Sequence, residues 1–208
     1  LMTLDVPVLE GIAGPVGCEI VTDEKVFEHS LGSRYHNPYP VADDDPSAEL
    51  TVRDLPYCDP EPIERDRWRF DHLSDGRPAI LFPEGFKPGR IYNLVYQAKD
   101  PLVMGLGFAV TRDFLSFLKY ECDDQEGEPN PLGEHIEQVY AFGSSQSGRF
   151  LRHLLYLGFN QDEAGRQVMD GVIANVAGGA RGSFNHRFAQ PSRHASAHTD
   201  VFYPTEQF

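Results

Sequence analysis

The chain has 208 residues, 40% of them hydrophobic and 24% charged, which is enough for one sizeable domain with a buried core. A net charge of −14 argues against a nucleic-acid or anionic-membrane surface, where basic patches supply the affinity, and no apolar run approaches membrane-spanning length. The covered sequence has no segment with the basic-then-apolar layout of a signal peptide, and Cys18, Cys58 and Cys122 form no C-x-x-C pair, so a soluble protein is expected with its compartment left open.

In chain order, residues 1–66 are rich in Pro, Gly and Asp and read as a loop- and β-rich extension. Within it, Ala48 to Arg53 is a short strand, and the acid excess, which lies almost wholly before residue 131, reads as solvated surface. From residue 67 to 208 the pattern predicts an α/β core. Asp66 to Phe70 and Ala79 to Phe82 are candidate strands, and residues 83–90 a turn. Ile91 to Ala98 alternates, with Tyr92, Leu94, Tyr96 and Ala98 on one face, and is rich in the residues strands prefer. Phe108 to Tyr120 reads as a helix burying Phe114, Leu115, Phe117 and Leu118, followed by an acidic loop, Cys122 to Gly133. A strand over 136–142, a helix over 147–157, a short helical stretch from Gln161 to Met169 opened by Asp162 and Glu163, and a strand from Val172 to Ala177 complete the series. Alternating elements of this kind predict a mostly parallel sheet flanked by helices.

The most informative stretch is Val139 to Phe150. A mostly apolar strand runs into Gly143-Ser144-Ser145-Gln146-Ser147-Gly148, and a helix follows at once. In a G-x-S-x-G nucleophile elbow the serine sits on a strained strand-to-helix turn, so the residues two before and two after it must be small. Ser144 would need Phe142 to be small and Ser147 would need Arg149 to be small. Ser145, between Gly143 and Ser147, fits in the variant form G-x-S-x-S. The same residues would also serve as an ordinary Ser/Gly-rich link, because such residues dominate turns.

Beyond this stretch, Gly89-Arg90-Ile91-Tyr92, Gly105-Leu106-Gly107-Phe108-Ala109, Arg112-Asp113, Ser145 to Arg152, Gly158-Phe159-Asn160, Phe184-Asn185 and Arg187 to Ser192 are similar to the corresponding runs of a family of α/β-hydrolase domain-containing proteins. The resemblance spans roughly residues 48–208. It implies a partial α/β-hydrolase fold, Ser145 as nucleophile, and the backbone N–H of Gln146 as one oxyanion donor. The second donor would come from Lys99 to Gly105, since the H-G-G-G-type loop of lipases and esterases is absent. The implied activity is hydrolysis of a small-molecule carboxylic ester or related acyl bond, with no cofactor. A binding or interaction module that kept the fold and lost the chemistry is the alternative.

A serine hydroxyl needs a base, itself oriented by a carboxylate, and in this fold the order is Ser, then Asp or Glu, then His. His153 lies eight positions past Ser145 along the helix and reads as a polar-face residue pointing away. Asp162 and Glu163 suit a helix start, and Asp170 the end of the sheet opposite the serine. The expectation is an incomplete domain whose catalytic acid and histidine lie past Phe208. The competing arrangement takes Asp200 with His198, or with His186 or His194, from the tail. His194-x-x-x-His198 has a zinc-compatible spacing but lacks the glutamate of a metalloprotease motif, and no metal site is read from it. Arg149 is a candidate substrate ligand, because a guanidinium suits bidentate carboxylate recognition.

Overall fold

Strict in–out alternation marks a strand with one face on the core, and Ile91 to Lys99 has it: Tyr92, Leu94, Tyr96 and Ala98 are all buried. The computed structural model describes residues 6–32, 38–43, 45–133, 135–179 and 187–189. It holds nine strands and two α-helices among them: β1 (Ala13–Ile20), β2 (Val26–Ser30), β3 (Glu49–Arg53), β4 (Glu61–Ile63), β5 (Arg69–His72), β6 (Pro78–Phe86), β7 (Ile91–Lys99), α1 (Gly107–Tyr120), β8 (Tyr140–Ser144), α2 (Gln146–Tyr156) and β9 (Gly171–Asn175).

These divide into two compact units. The first holds β1 to β7, up to Val103, together with Phe188. Its strands form two antiparallel sheets, ordered β1-β7-β3-β4 and β2-β6-β5. Both sheets contribute to one core, which includes Val16, Ile20, Leu50, Ile80, Phe82, Phe86, Leu94 and Tyr96. Phe82, Phe86 and Tyr92 meet edge to face, with Phe86 and Tyr92 centroids 5.0 Å apart. Phe188 packs on Tyr39 at 5.3 Å and lies so close over Gly14 that a Cβ there would stand 2.5 Å from the ring.

The expected parallel arrangement around residues 91–98 is therefore corrected. β7 is the second strand of an antiparallel sheet, paired with β1 in register Val16↔Tyr96 and with β3 in register Leu50↔Leu94. The division between units falls after Val103 rather than near residue 66, because β5, β6 and β7 complete the sheets that the earlier strands begin. β6 also continues through residues expected to turn, reaching Phe86.

The second unit runs from Met104 and contains α1, β8, α2 and β9. β8 and β9 are parallel, in register from Tyr140↔Gly171 to Ser144↔Asn175. The α2 crossover between them makes a βαβ unit, the parallel element that the sequence pattern implied. Phe108, Leu151, Leu154, Val168 and Met169 form its core.

Three local expectations change here. The buried side of α1 is not the Phe114 face, since Phe114 is exposed; it carries Phe108, Leu115 and Ser116. That side is partly polar because it docks on a loop through hydrogen bonds: Ser116 Oγ donates to Asp162 Oδ2 at 2.6 Å and Lys119 Nζ to Asp170 Oδ2 at 2.7 Å. Gln161 to Met169 is not helical. Asp162 Oδ1 accepts the backbone N–H groups of Ala164 and Arg166, Gly165 takes φ +81°, and Gln161 bridges to Gln167. The Asp side chain offers those amides an alternative to a helix. His153 is buried rather than on a polar face, its ring edge-on to Phe108 at 5.1 Å. Among the described residues, no helix is long and apolar enough to cross a membrane.

Candidate functional site

At the carboxyl end of β8 the chain reverses into α2 within one residue, and that residue is Ser145, with φ 56° and ψ −117°. A non-glycine residue at positive φ is uncommon and costs of order 1–3 kcal/mol, which the surroundings must supply. Two observations explain how it is held. Ser145 N–H donates to Asn175 O on β9 at 3.0 Å, and its carbonyl accepts Arg149 N–H at 2.9 Å as the first turn of α2. Ser145 occupies the N-cap position yet makes no side-chain capping bond, and it is exposed. Of the three serines of the turn, Ser144, Ser145 and Ser147, it alone has positive φ.

The tightness of the turn fixes which neighbours must be small. A Cβ on Gly143 would lie 2.5 Å from Ser147 O, and one on Gly148 would lie 2.8 Å from Asn175 O and 2.9 Å from Gly143 O. All three obstacles are backbone atoms, so both positions require glycine. The sequence pattern put the second small residue at Ser147, but Ser147 is exposed and the close approach is at Gly148. The signal for Gly148 was available: glycine in the first turn of a helix weakens it and needs a packing reason.

β9 does more than pair with β8. Asn175 Nδ2 donates to Ser144 Oγ at 3.2 Å, across the last paired positions of the two strands. Val176 then takes φ 41° and Gly178 φ 65°. Arg149, expected as a substrate ligand, lies along this segment: its guanidinium is 3.6 Å from where a Cβ on Gly178 would stand. Arg152 donates to Gly179 O. Two arginines of α2 thus reach the turn that follows β9.

Gln146 is the first residue of α2. Its N–H belongs to the first helical turn, whose amides have no intrahelical acceptor and form the positive end of the helix dipole. The opening turn of α1 packs close by within the unit. A Cβ on Gly107 would be 3.7 Å from the Phe150 ring, and the Phe108 and Phe150 centroids are 4.7 Å apart. Of the Lys99 to Gly105 segment, Leu102 bridges to Val8 and Val103 N–H donates to Pro7 O in the first unit, while Gly105, at φ +93°, leads into α1.

Several described histidines and carboxylates of this unit have other settings. His135 lies in the loop that precedes β8, and His153 is in the core. Asp162 Oδ2 accepts Ser116 Oγ–H and Arg166 Nε–H, and these contacts, Ser116 first, hold its carboxyl well below the usual carboxylate range. Lys119, then the Val139 N–H, likewise hold Asp170 low at the amino end of β9. Glu163 accepts from Arg112 at 3.2 Å. Asp200, His198, His194 and His186 lie outside the described residues.

Residues 55–207 match the alpha/beta hydrolase domain family. The match covers well over half of the sequence, and the chain belongs to that family. No curated protein and no solved structure matches the chain significantly.

Proposed function

We propose that the protein is a serine hydrolase acting on a small-molecule carboxylic ester through a Ser145 acyl-enzyme. The observation that carries this reading is the backbone of Ser145, an exposed serine in the left-handed region between β8 and α2. Strain of this kind clusters at functional sites, and a turn that holds a hydroxyl out of the helix cap leaves its oxygen available to a substrate. Membership of the alpha/beta hydrolase domain family supports the same reading. In the proposed reaction, Ser145 Oγ attacks the ester carbonyl while a histidine takes its proton, and the Gln146 N–H stabilises the developing oxyanion. The histidine returns the proton to the departing alkoxide. Water, deprotonated by the same histidine, then attacks the acyl-enzyme, releasing the acid and regenerating the Ser145 hydroxyl.

The acid and base of this mechanism are proposed to lie outside this sequence. Among the described residues, His135 lies in the loop before β8, His153 is in the core, and Asp162, Glu163 and Asp170 are engaged with Ser116, Arg112, Arg166 and Lys119, while His186, His194, His198 and Asp200 lie outside the described residues. A fluorophosphonate probe tests the central claim. Covalent labelling of the full-length protein that is lost in Ser145→Ala is the expected result. A folded full-length protein that takes no label is a binding module instead.

A further inference from the structure

We infer that Val176 sets substrate specificity at the Ser145 site, forming an apolar wall against the acyl chain of the ester; this rests on the serine-hydrolase reading above. The register of β8 and β9 ends at Ser144↔Asn175, so Ser145 and Val176 are the next residue on each strand. Both have positive φ, 56° and 41°. For a β-branched residue that backbone is a true outlier, and glycine or asparagine is its ordinary occupant.

Val176 is 72% exposed, but Tyr140, Phe142 and Ile173 of the same two strands are exposed too, at 63–70%, so its backbone rather than its exposure sets the valine apart. Backbone preference opposes it. What remains is position. Asn175 O accepts the Ser145 N–H at 3.0 Å, so the peptide joining Asn175 to Val176 is bonded directly to the backbone of the serine. The segment is held on its far side too. Ala177 is buried, and its Cβ stands 3.3 Å from where a Cβ on Gly148 would be; Arg149 lies against Gly178, and Arg152 donates to Gly179 O. An exposed branched side chain is therefore fixed at the strand edge that presents the serine. A rigid apolar surface there excludes water and favours a hydrocarbon group. The acyl chain is the part of an ester that remains bonded to the serine, so it is the part a fixed neighbour of Ser145 meets throughout the reaction.

The test uses the full-length protein with p-nitrophenyl acetate, butyrate and octanoate, beside a series of acetate esters that differ in the alcohol. Val176→Phe is expected to shift kcat/KM toward acetate over octanoate by about tenfold or more, the scale on which an apolar pocket reads chain length. Val176→Gly is expected to shift it toward octanoate and, by relieving the backbone, to raise the Tm by a few degrees. Labelling of Ser145 with acyl preference unchanged in both variants overturns the inference alone. So does a change confined to the alcohol series, or a lowered Tm for Val176→Gly, which would make the valine a packing residue. If the unaltered protein shows no Ser145-dependent labelling, the hydrolase reading falls and this inference with it.

Discussion

Asp162 illustrates how one side chain can replace an element. Its two oxygens accept four hydrogen bonds, from Ala164 N–H, Arg166 N–H, Ser116 Oγ–H and Arg166 Nε–H, and it is nearly buried. Two of those bonds shape its own loop and the others reach α1 and the loop arginine, so the carboxylate ties residues 161–169 to the helix. Because the folded state holds its pKa below the unfolded value, Asp162 stabilises the fold while ionised. That contribution is fully present above the unfolded value, about 4, and is lost as pH falls from there toward the depressed folded value. In Asp162→Asn the Tm at neutral pH should fall by several degrees, and the further loss between about pH 4 and pH 2 should be shallower than in the unaltered protein. A thermal melt series across that range measures both. Equal acid slopes for the two proteins would show that other carboxylates govern the acid limb.

At the level of elements, the Ser145 turn depends on a close approach between β8, α2 and β9. Gly148 meets Asn175 O and Gly143 O, two carbonyls that are themselves fixed, one by pairing and the other by the turn. Gly148→Ala improves helix propensity, but the added methyl would stand within 2.9 Å of both oxygens. Propensity favours alanine by roughly 1 kcal/mol, whereas forcing backbone apart in a packed site costs about 1–3 kcal/mol. Overpacking should win, giving a net loss of stability of up to about 2 kcal/mol in denaturant titration together with weaker probe labelling. A Gly148→Ala protein as stable and as readily labelled as the unaltered one would remove the close approach as a constraint. The strand, turn and helix here were legible because apolar residues, small residues and an amphipathic run follow each other locally. The demands on Gly148, Asn175 and Val176 were not, because they arise from β9, which begins more than twenty residues after the serine. The same limit hid β1. Its sequence, with Gly14, Pro15 and Gly17, reads as loop, yet Gly14 is small because the Phe188 ring lies over it, and Pro15 is tolerated because β1 is an edge strand.

For the whole molecule, the alternation of residues 91–98 predicts the strand that forms, but its sheet is antiparallel rather than the parallel one expected. A strand of a parallel sheet is usually covered on both faces and reads as a continuous apolar run, whereas one-sided alternation belongs to antiparallel sheets, so the distinguishing signal was present in Tyr92, Leu94, Tyr96 and Ala98. Among the described residues, the parallel pairing is that of β8 with β9, and it carries the serine, the first helical amide of α2 and the strained Val176. A serine deprived of its base keeps only the catalysis provided by oxyanion donors and substrate binding, and loses about 10⁴-fold or more in kcat. The 208-residue chain is therefore expected to hydrolyse p-nitrophenyl acetate at least about 10³-fold more slowly than the full-length protein, with Ser145→Ala changing that residual rate little. His198→Ala and Asp200→Ala should leave it unchanged, because on this reading the tail does not serve the serine. Steady-state hydrolysis by the purified chain and these three variants distinguishes the arrangements. Turnover by the chain equal to that of the full-length protein, abolished by His198→Ala, would put the base in the tail and make Asp200 its natural partner. Residual turnover indifferent to both substitutions would agree with the proposal that the tail does not supply the base for Ser145, the serine held by β9 and exposed at the end of β8.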